Sequence, residues 1–501
     1  MNPVKTFKKA ELIFRRDETL GSIMQSLAEI HGDRRLVEES DGGLRITYQQ
    51  AAKRVARWAG GIRARTNPGD RVVIAAPNGY EQFLLCLAAS RAGAIPVPIN
   101  QQMRKDEVSH VMADSGASLI VRSPNEVDGS EPVDVAADVD PGDVAALFYT
   151  SGTTGKPKGA ELTHRALVGQ VVAGVAWPTV LHRDEAVFSL PVAHIMGFAT
   201  LMGFACAGIP VFVMPKFNAS NVLDAIEQRR ATVFIGVPAM YRMLDEEGAS
   251  ARDLRSIRVW GSGADVMPSE LAVKFKKMGA TMTLPLAGSF GEALFVEGYG
   301  MVEVGGGVAA KISPPMINLG LGESVGLGLP NYKLKVVDDN GDEVGTGSIG
   351  ELWVKGPGVI KGYWNAPEAS AKAVTEDGWL RTGDLARRGP FNSVLFVGRS
   401  KDVIKHGGYS VYALEVQETL ESHPQILEAA VIGLPDDRMG EVPAAVVRLA
   451  DGVVLDDLDL PAWANDKLAH YKVPKRFIAV EDLPRTGTSK VQKTELHALF
   501  D

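Results

Sequence analysis

Along the first two-thirds of the chain, short apolar runs alternate with segments of helical period. RVVIAAP (71–77), AIPVPIN (94–100), SLIVRS (118–123), ATVFIGV (231–237) and RSIRVWGS (255–262) are too short for helices and rich in β-branched residues, so they predict buried strands. Tyr80–Ala92 and Asn221–Arg230 predict helices between them. This alternation implies parallel sheets covered by helices on both faces, an α/β fold in layers. From about Gly326 the texture changes: YKLKVVDDNGDEVGTGSIGELWVKG alternates apolar and polar positions around an Asn-Gly turn, as in antiparallel sheet. After Gly398 a helical pattern at Ala413–Ser422, strand patterns at 428–434 and 443–449, and a last helix at Trp463–His470 predict a small α+β domain. The expected layout is a large layered α/β domain with parallel sheets plus a small β-rich part over 1–399, then a small C-terminal domain over 400–501.

Three stretches qualify this layout. Ile195–Pro215 carries no charge and nears membrane-spanning length, but Pro210, Pro215 and the β-branched IPVFV divide it into a buried helix and a buried strand. Met1–Arg16 mixes five basic residues with Phe7, Leu12, Ile13 and Phe14 and lacks the continuous apolar core of a signal peptide. It reads as an irregular arm on the domain; the alternative, a basic amphipathic helix, allows at most peripheral membrane contact. Asn125–Asp143 has no basic residue and reads as a solvated loop.

A chain of 501 residues exceeds what one hydrophobic core supports. Lys+Arg 53 against Asp+Glu 61 gives 53 − 61 = −8, which argues against a nucleic-acid partner and requires any polyanion to be met by a focused site. Cys86 and Cys206 are too few for a disulfide framework; buried, inert thiols fit a reducing, cytoplasmic setting.

Chemistry concentrates in AALFYTSGTTGKPKG (145–159), an apolar strand running into Ser, Thr, Gly and Lys. Glycines free backbone N–H groups to turn toward an anion, hydroxyls add donors and lysines add charge, so the loop suits a polyphosphate. It is not a Walker loop, because Thr150 stands where the first glycine would be and Pro157 follows Lys156. A strict GxGxxG at Gly345–Gly350 follows a turn and precedes a strand, the wrong context for a dinucleotide fingerprint, so it reads as a loop.

YTSGTTGKPKG resembles the signature of the adenylate-forming superfamily, which comprises acyl-CoA synthetases, nonribosomal peptide adenylation domains and firefly-type luciferases. LPVAHIMG (190–197), GSGADV (261–266), EGYGMVE (297–303), RTGDL (381–385), GRSKDVIKHGGYSVYALEV (398–416) and LPRTGTSK (483–490) follow in the family's order and cover nearly the whole chain. The likeness is greatest to bacterial fatty acyl-CoA synthetases.

The resemblance implies that Thr150, Ser151, Gly152, Thr153, Thr154, Gly155 and Lys156, with Lys158, grip the ATP phosphates. It makes Glu303 the Mg2+ ligand and gives the adenine pocket to Gly261–Ala264 (including Gly263), Tyr299 and Gly300. Asp384 would bind the ribose with Arg399 beside it, and His194 would border the carboxylate pocket. Lys490 would join the acid's carboxylate to the phosphate during adenylation, Lys401 would act as hinge of a mobile lid, and Gly407 and Gly408 would border the thiol tunnel. Val302 replaces the usual Thr, Ser489 replaces a Gly, and 280–296 is longer than usual, which fits a cap on the acyl site or a partner contact.

The implied function is an ATP-dependent, AMP-forming acid–thiol ligase. It would use ATP, Mg2+ and coenzyme A, with a hydrophobic, fatty acid favoured by the apolar run Met196–Val213. Loading an acyl carrier protein, or acting as a non-catalytic acyl-adenylate-binding homologue, are the alternatives.

Overall fold

The computed structural model describes the chain except residues 1–2, 16, 129–130, 151–155, 170, 178–183, 285–287, 318–323, 390–392, 486–490 and 501, and the side chains of 3–6, 15 and 283–284. The chain divides into two units, one comprising Met1–Leu321, Val325–Lys333 and Val354–Leu380, the other Gly322–Ser324, Leu334–Trp353 and Arg381–Asp501.

In the first unit, strands Leu294–Met301, Val259–Gly263, Val233–Gly236, Ala186–Phe188, Val211–Val213 and Arg35–Glu39 run parallel in that spatial order. Gly306–Ser313 adds an antiparallel strand, itself paired with Leu327 and Gly328, and Arg45–Thr47 adds an antiparallel edge. A second parallel sheet holds Ile95–Pro98, Arg71–Ile74 and Leu119–Val121. All the expected strands therefore form, with shorter ends. Helix Tyr80–Arg91 is buried on nearly every face, so its sequence reads apolar rather than amphipathic. Ile195–Ala207 is the expected buried helix, capped by left-handed Gly208 and followed by strand Val211–Val213. Among the described residues no helix is long and apolar enough to cross a membrane.

An aromatic cluster fixes the hairpin of Val144–Thr150 and Lys158–Thr163. Phe198 of the buried helix packs at 5.0 Å from Phe83 and 5.4 Å from Phe148, which lies in the first hairpin strand. Each ring is buried, so the hairpin is tied to the core two residues before its loop begins. Cys86 and Cys206 are buried too; burial raises both thiols, Cys206 to about 12, which leaves them protonated.

Two sequence expectations are corrected. The N-terminal segment is a helix, Pro3–Arg15, rather than an irregular arm: Leu12 enters the core, while Phe7 and Phe14 are 71% and 83% exposed. The acidic run is not simply solvated, because Arg91, 3% exposed, donates from Nε to the Val133 carbonyl at 2.7 Å and from Nη2 to the Asp134 carbonyl. No charge pattern within the run could reveal a cation supplied from a distant helix.

In the second unit, strands Lys333–Val337, Ile349–Lys355, Leu380–Arg388 and Val394–Arg399 are neighbours in that order. Gly345–Gly350 is a turn entering a strand, as expected, and Gly350 is required there because a Cβ would lie 2.1 Å from the Val337 carbonyl. A further sheet pairs Tyr409–Tyr412, Val403–His406, Gly440–Leu449 and Ile426–Asp436, with Arg476–Val480 parallel to Gly440–Leu449. The helix expected at Trp463–His470 runs Leu460–Lys467 instead, since Asp459 caps it by accepting from the Ala462 N–H at 3.0 Å.

Replacing Arg91 by Leu strands several buried carbonyls at once, so Arg91→Leu is expected to lower stability by about 3 kcal/mol. A urea midpoint close to that of the parent protein would contradict this role.

Candidate functional site

The hairpin that carries the phosphate-type loop is held at its base from outside. Tyr149 donates its hydroxyl to Asp114 Oδ2 at 2.6 Å, and His110 Nε2 donates to the Pro157 carbonyl at 2.8 Å; both partners lie on helix Lys105–Ser115. Burial, then Asp114, pushes the Tyr149 phenol up, so it stays a donor. Cross-strand register sets Thr150 opposite Lys158, so Lys158 begins the returning strand. Ser151, Gly152, Thr153, Thr154 and Gly155 lie outside the described residues; Lys156 is exposed at the edge of that span.

Glu303 sits in the single-turn helix Val302–Val304 after strand Leu294–Met301. Segment 359–364 links it to the hairpin. Ile360 N–H donates to the Glu303 carbonyl at 3.0 Å, Glu161 N–H to the Gly362 carbonyl at 3.0 Å, and Trp364 N–H to the Gly159 carbonyl at 2.8 Å. From this segment the Tyr363 hydroxyl donates to Glu303 Oε1 at 2.8 Å, and Lys158 Nζ lies 5.4 Å from the Tyr363 ring centroid. Burial, then the Glu303 charge, raises the phenol, which therefore remains protonated. Sequence reading missed Tyr363; its sole signal was an aromatic residue between Gly362 and Trp364 in a turn-rich stretch.

The strand ends beside Glu303 are nearly free of side chains. Gly263 pairs with Gly298 and Gly300 with Gly307. A Cβ on Gly300 would lie 1.9 Å from the Gly306 carbonyl, so that glycine serves packing. Gly298 and Gly307 differ: both are exposed, neither has positive φ, and an added Cβ would meet nothing closer than 3.8 Å. Neither local packing nor backbone conformation requires them. Met196 and Ala199 of the buried helix lie against neighbouring glycines, with Met196 Cε 3.4 Å from a Cβ built on Gly263 and Ala199 Cβ 3.3 Å from one on Gly306. His194 caps the helix, its Nδ1 accepting from the Met196 N–H at 3.3 Å, so it has a structural duty. Ala264 adopts φ 69°, a strained value for a residue with a Cβ, in the segment assigned to adenine. Tyr299 is half-buried, and Val302 packs against the core with its branched side chain.

The remaining candidates belong to the second unit. Asp384 is buried and pairs with Arg399, its cross-strand neighbour, whose Nε lies 3.1 Å from Oδ1. Lys401 follows directly, its ammonium lowered by burial and then by Arg399. Gly407 and Gly408 form the two-residue turn between Val403–His406 and Tyr409–Tyr412 with φ 58° and 84°, values that favour glycine at both positions. Lys490 and Ser489 lie outside the described residues. In the first unit, the long 280–296 segment contains the hairpin Met282–Leu284 with Gly288–Phe290, exposing Met282 and Phe290.

Profiles of the AMP-binding enzyme family and of the AMP-binding enzyme C-terminal domain match residues 24–364 and 415–490. The chain belongs to the AMP-binding enzyme family. It is 35% identical over 490 residues to a feruloyl-CoA synthase of Amycolatopsis sp, covering 92% of this chain and 95% of the relative. An indoleacetate–CoA ligase of Aromatoleum aromaticum is 32% identical over 491 residues, covering 91% and 93%. Among solved structures, ATP-bound MatB from Rhodopseudomonas palustris superposes with a TM-score of 0.84 at 28% identity, covering 96% of this chain and 99% of that one. This AMP-binding enzyme is an ATP-dependent, AMP-forming acid–CoA ligase that works with ATP, Mg2+ and CoA. Its residues fit the metal. Among the described residues there is no cluster of three His, Cys, Asp or Glu, and a lone carboxylate such as Glu303 suits Mg2+, which takes its remaining ligands from phosphates and water.

Gly300→Ala is expected to disrupt the strand pair and lower the melting temperature by several degrees. Gly298→Ala should fold like the parent and lose ligand affinity; calorimetric titration with an ATP analogue and with acid, set beside melting curves, separates the two effects.

Proposed function

We propose that this AMP-binding enzyme activates a hydrophobic acid with a flat aryl body, of the arylpropenoate or arylacetate class, to its acyl-AMP and transfers it to CoA. The carrying observation is the surface without side chains at the strand ends, where exposed Gly298 pairs with Gly263 and Met196 Cε lies 3.4 Å from a Cβ built on Gly263. A strand surface without side chains admits a planar ring face-on, and a thioether packs well against an aromatic ring. The feruloyl-CoA and indoleacetate–CoA relatives lend independent support. A fatty chain is the second reading. Its sequence basis was the run Met196–Val213, yet Phe198, Leu201, Met202, Phe204, Val211 and Val213 are buried in the core and so do not line an acid site.

In this reading Thr150–Lys156 and Lys158 bind the phosphates, Glu303 holds Mg2+, and Tyr299 with Gly261–Ala264 receives adenine. Asp384 binds ribose beside Arg399, His194 borders the carboxylate, and Gly407 and Gly408 border the thiol path. Bound Mg2+ would offset charge on the phosphates and on the pyrophosphate leaving group. Lys490 places a cation between two anions, the acid's carboxylate and the α-phosphate, and so lowers the barrier to their union. The 400–501 segment acts as a lid turning at Lys401.

Acid-dependent ATP–pyrophosphate exchange tests the assignment. Arylpropenoates and arylacetates should exchange at least tenfold faster, by kcat/KM, than fatty acids of any length, and Lys490→Ala should lower acyl-AMP formation roughly a hundredfold or more. Faster exchange with fatty acids would reverse the choice of substrate class.

A further inference from the structure

We infer that Tyr363 is the positioning residue that aims Glu303 at the nucleotide-bound metal ion, an inference that rests on the reading of Glu303 as the Mg2+ ligand. The geometry is specific. Tyr363 donates to one carboxylate oxygen at 2.8 Å, and a carboxylate with one oxygen so engaged retains acceptor capacity on the other. The donor is also neutral. A lysine or arginine there would orient the carboxylate equally well but cancel the charge a hard cation needs, whereas a phenol orients it and leaves the charge in place.

Tyr363 cannot swing away readily. Its backbone bridges to Ala160 of the hairpin, its N–H donates to Ser370 Oγ at 2.8 Å, and its neighbours Gly362 and Trp364 bond to the same hairpin strand. The ring face meanwhile carries Lys158, the cation that starts the returning strand after the phosphate-type loop. One side chain thus registers the phosphate-binding hairpin against the metal-binding carboxylate, two elements far apart in sequence. Val302, which lacks the hydroxyl usual in the family, makes that register more consequential, since the turn bearing Glu303 has one donor fewer toward the phosphates.

The test uses the full-length enzyme with a non-hydrolysable ATP analogue. Free Mn2+ is followed by electron paramagnetic resonance, giving metal affinity without turnover. Tyr363→Phe keeps the ring beneath Lys158 and removes only the hydroxyl; it should weaken Mn2+ affinity of the enzyme–nucleotide complex about tenfold or more while leaving the melting temperature near the parent's. Tyr363→Leu, which also loses the ring face, should additionally weaken metal-free nucleotide binding. Unchanged metal affinity in Tyr363→Phe overturns the inference. Glu303→Gln, titrated in parallel, separates the two levels: its retention of full metal affinity would refute Glu303 as ligand, whereas loss in Glu303→Gln without loss in Tyr363→Phe would refute the positioning role alone.

Discussion

The site depends on the hydrogen-bonded seam along 359–364. Backbone groups of this segment are shared between the hairpin strand at Gly159–Glu161 and the turn bearing Glu303, so two separate elements become one scaffold. Loops tied at a single end move; this one is tied on both sides, with Tyr363 adding a side-chain link. The aromatic contacts of Phe148 with Phe198, and of Phe198 with Phe83, anchor the same hairpin to the buried helices. The phosphate-type loop is therefore carried by a rigid base although its own composition is permissive.

The chemistry makes such a base necessary. Joining an acid to a nucleotide brings two anions together on a protein whose own net charge is −8. Long-range attraction gives no help, so the opposing charges have to be local, as in the proposed arrangement of Lys156 and Lys158 beside the loop, a metal at Glu303 and Lys490 for the reacting carboxylate. Local charge works only if its distance is held, because electrostatic stabilisation comes from groups already in place when the reaction charge develops.

The most apolar helix of the chain, Ile195–Ala207, spends its large side chains on the core and leaves Met196 and Ala199 toward the strand ends. Opposite them, glycines take two distinct parts. Gly300 is there because carbonyls crowd it, whereas Gly298 and Gly307 have room to spare, so packing alone does not account for them.

Much of this was legible in the sequence. Periodicity alone gave the parallel strands at 71–74, 233–236 and 259–263, the division of Ile195–Pro215 into helix and strand, and the turn at Gly345–Gly350, because local pattern and final burial agree there. Motif order identified the family to which the chain belongs, since short polar motifs carry their chemistry with them. What sequence could not supply were relations between distant residues. Arg91 reaches across to cap the acidic run at Val133, Tyr363 bonds a carboxylate sixty positions earlier, and the large side chains Phe198, Leu201, Met202, Phe204, Val211 and Val213 of the apolar run prove to be core. Each of these depends on which side chains the chain folding brings face to face, and one-dimensional pattern records the hydrophobicity of a residue but not the identity of its neighbour.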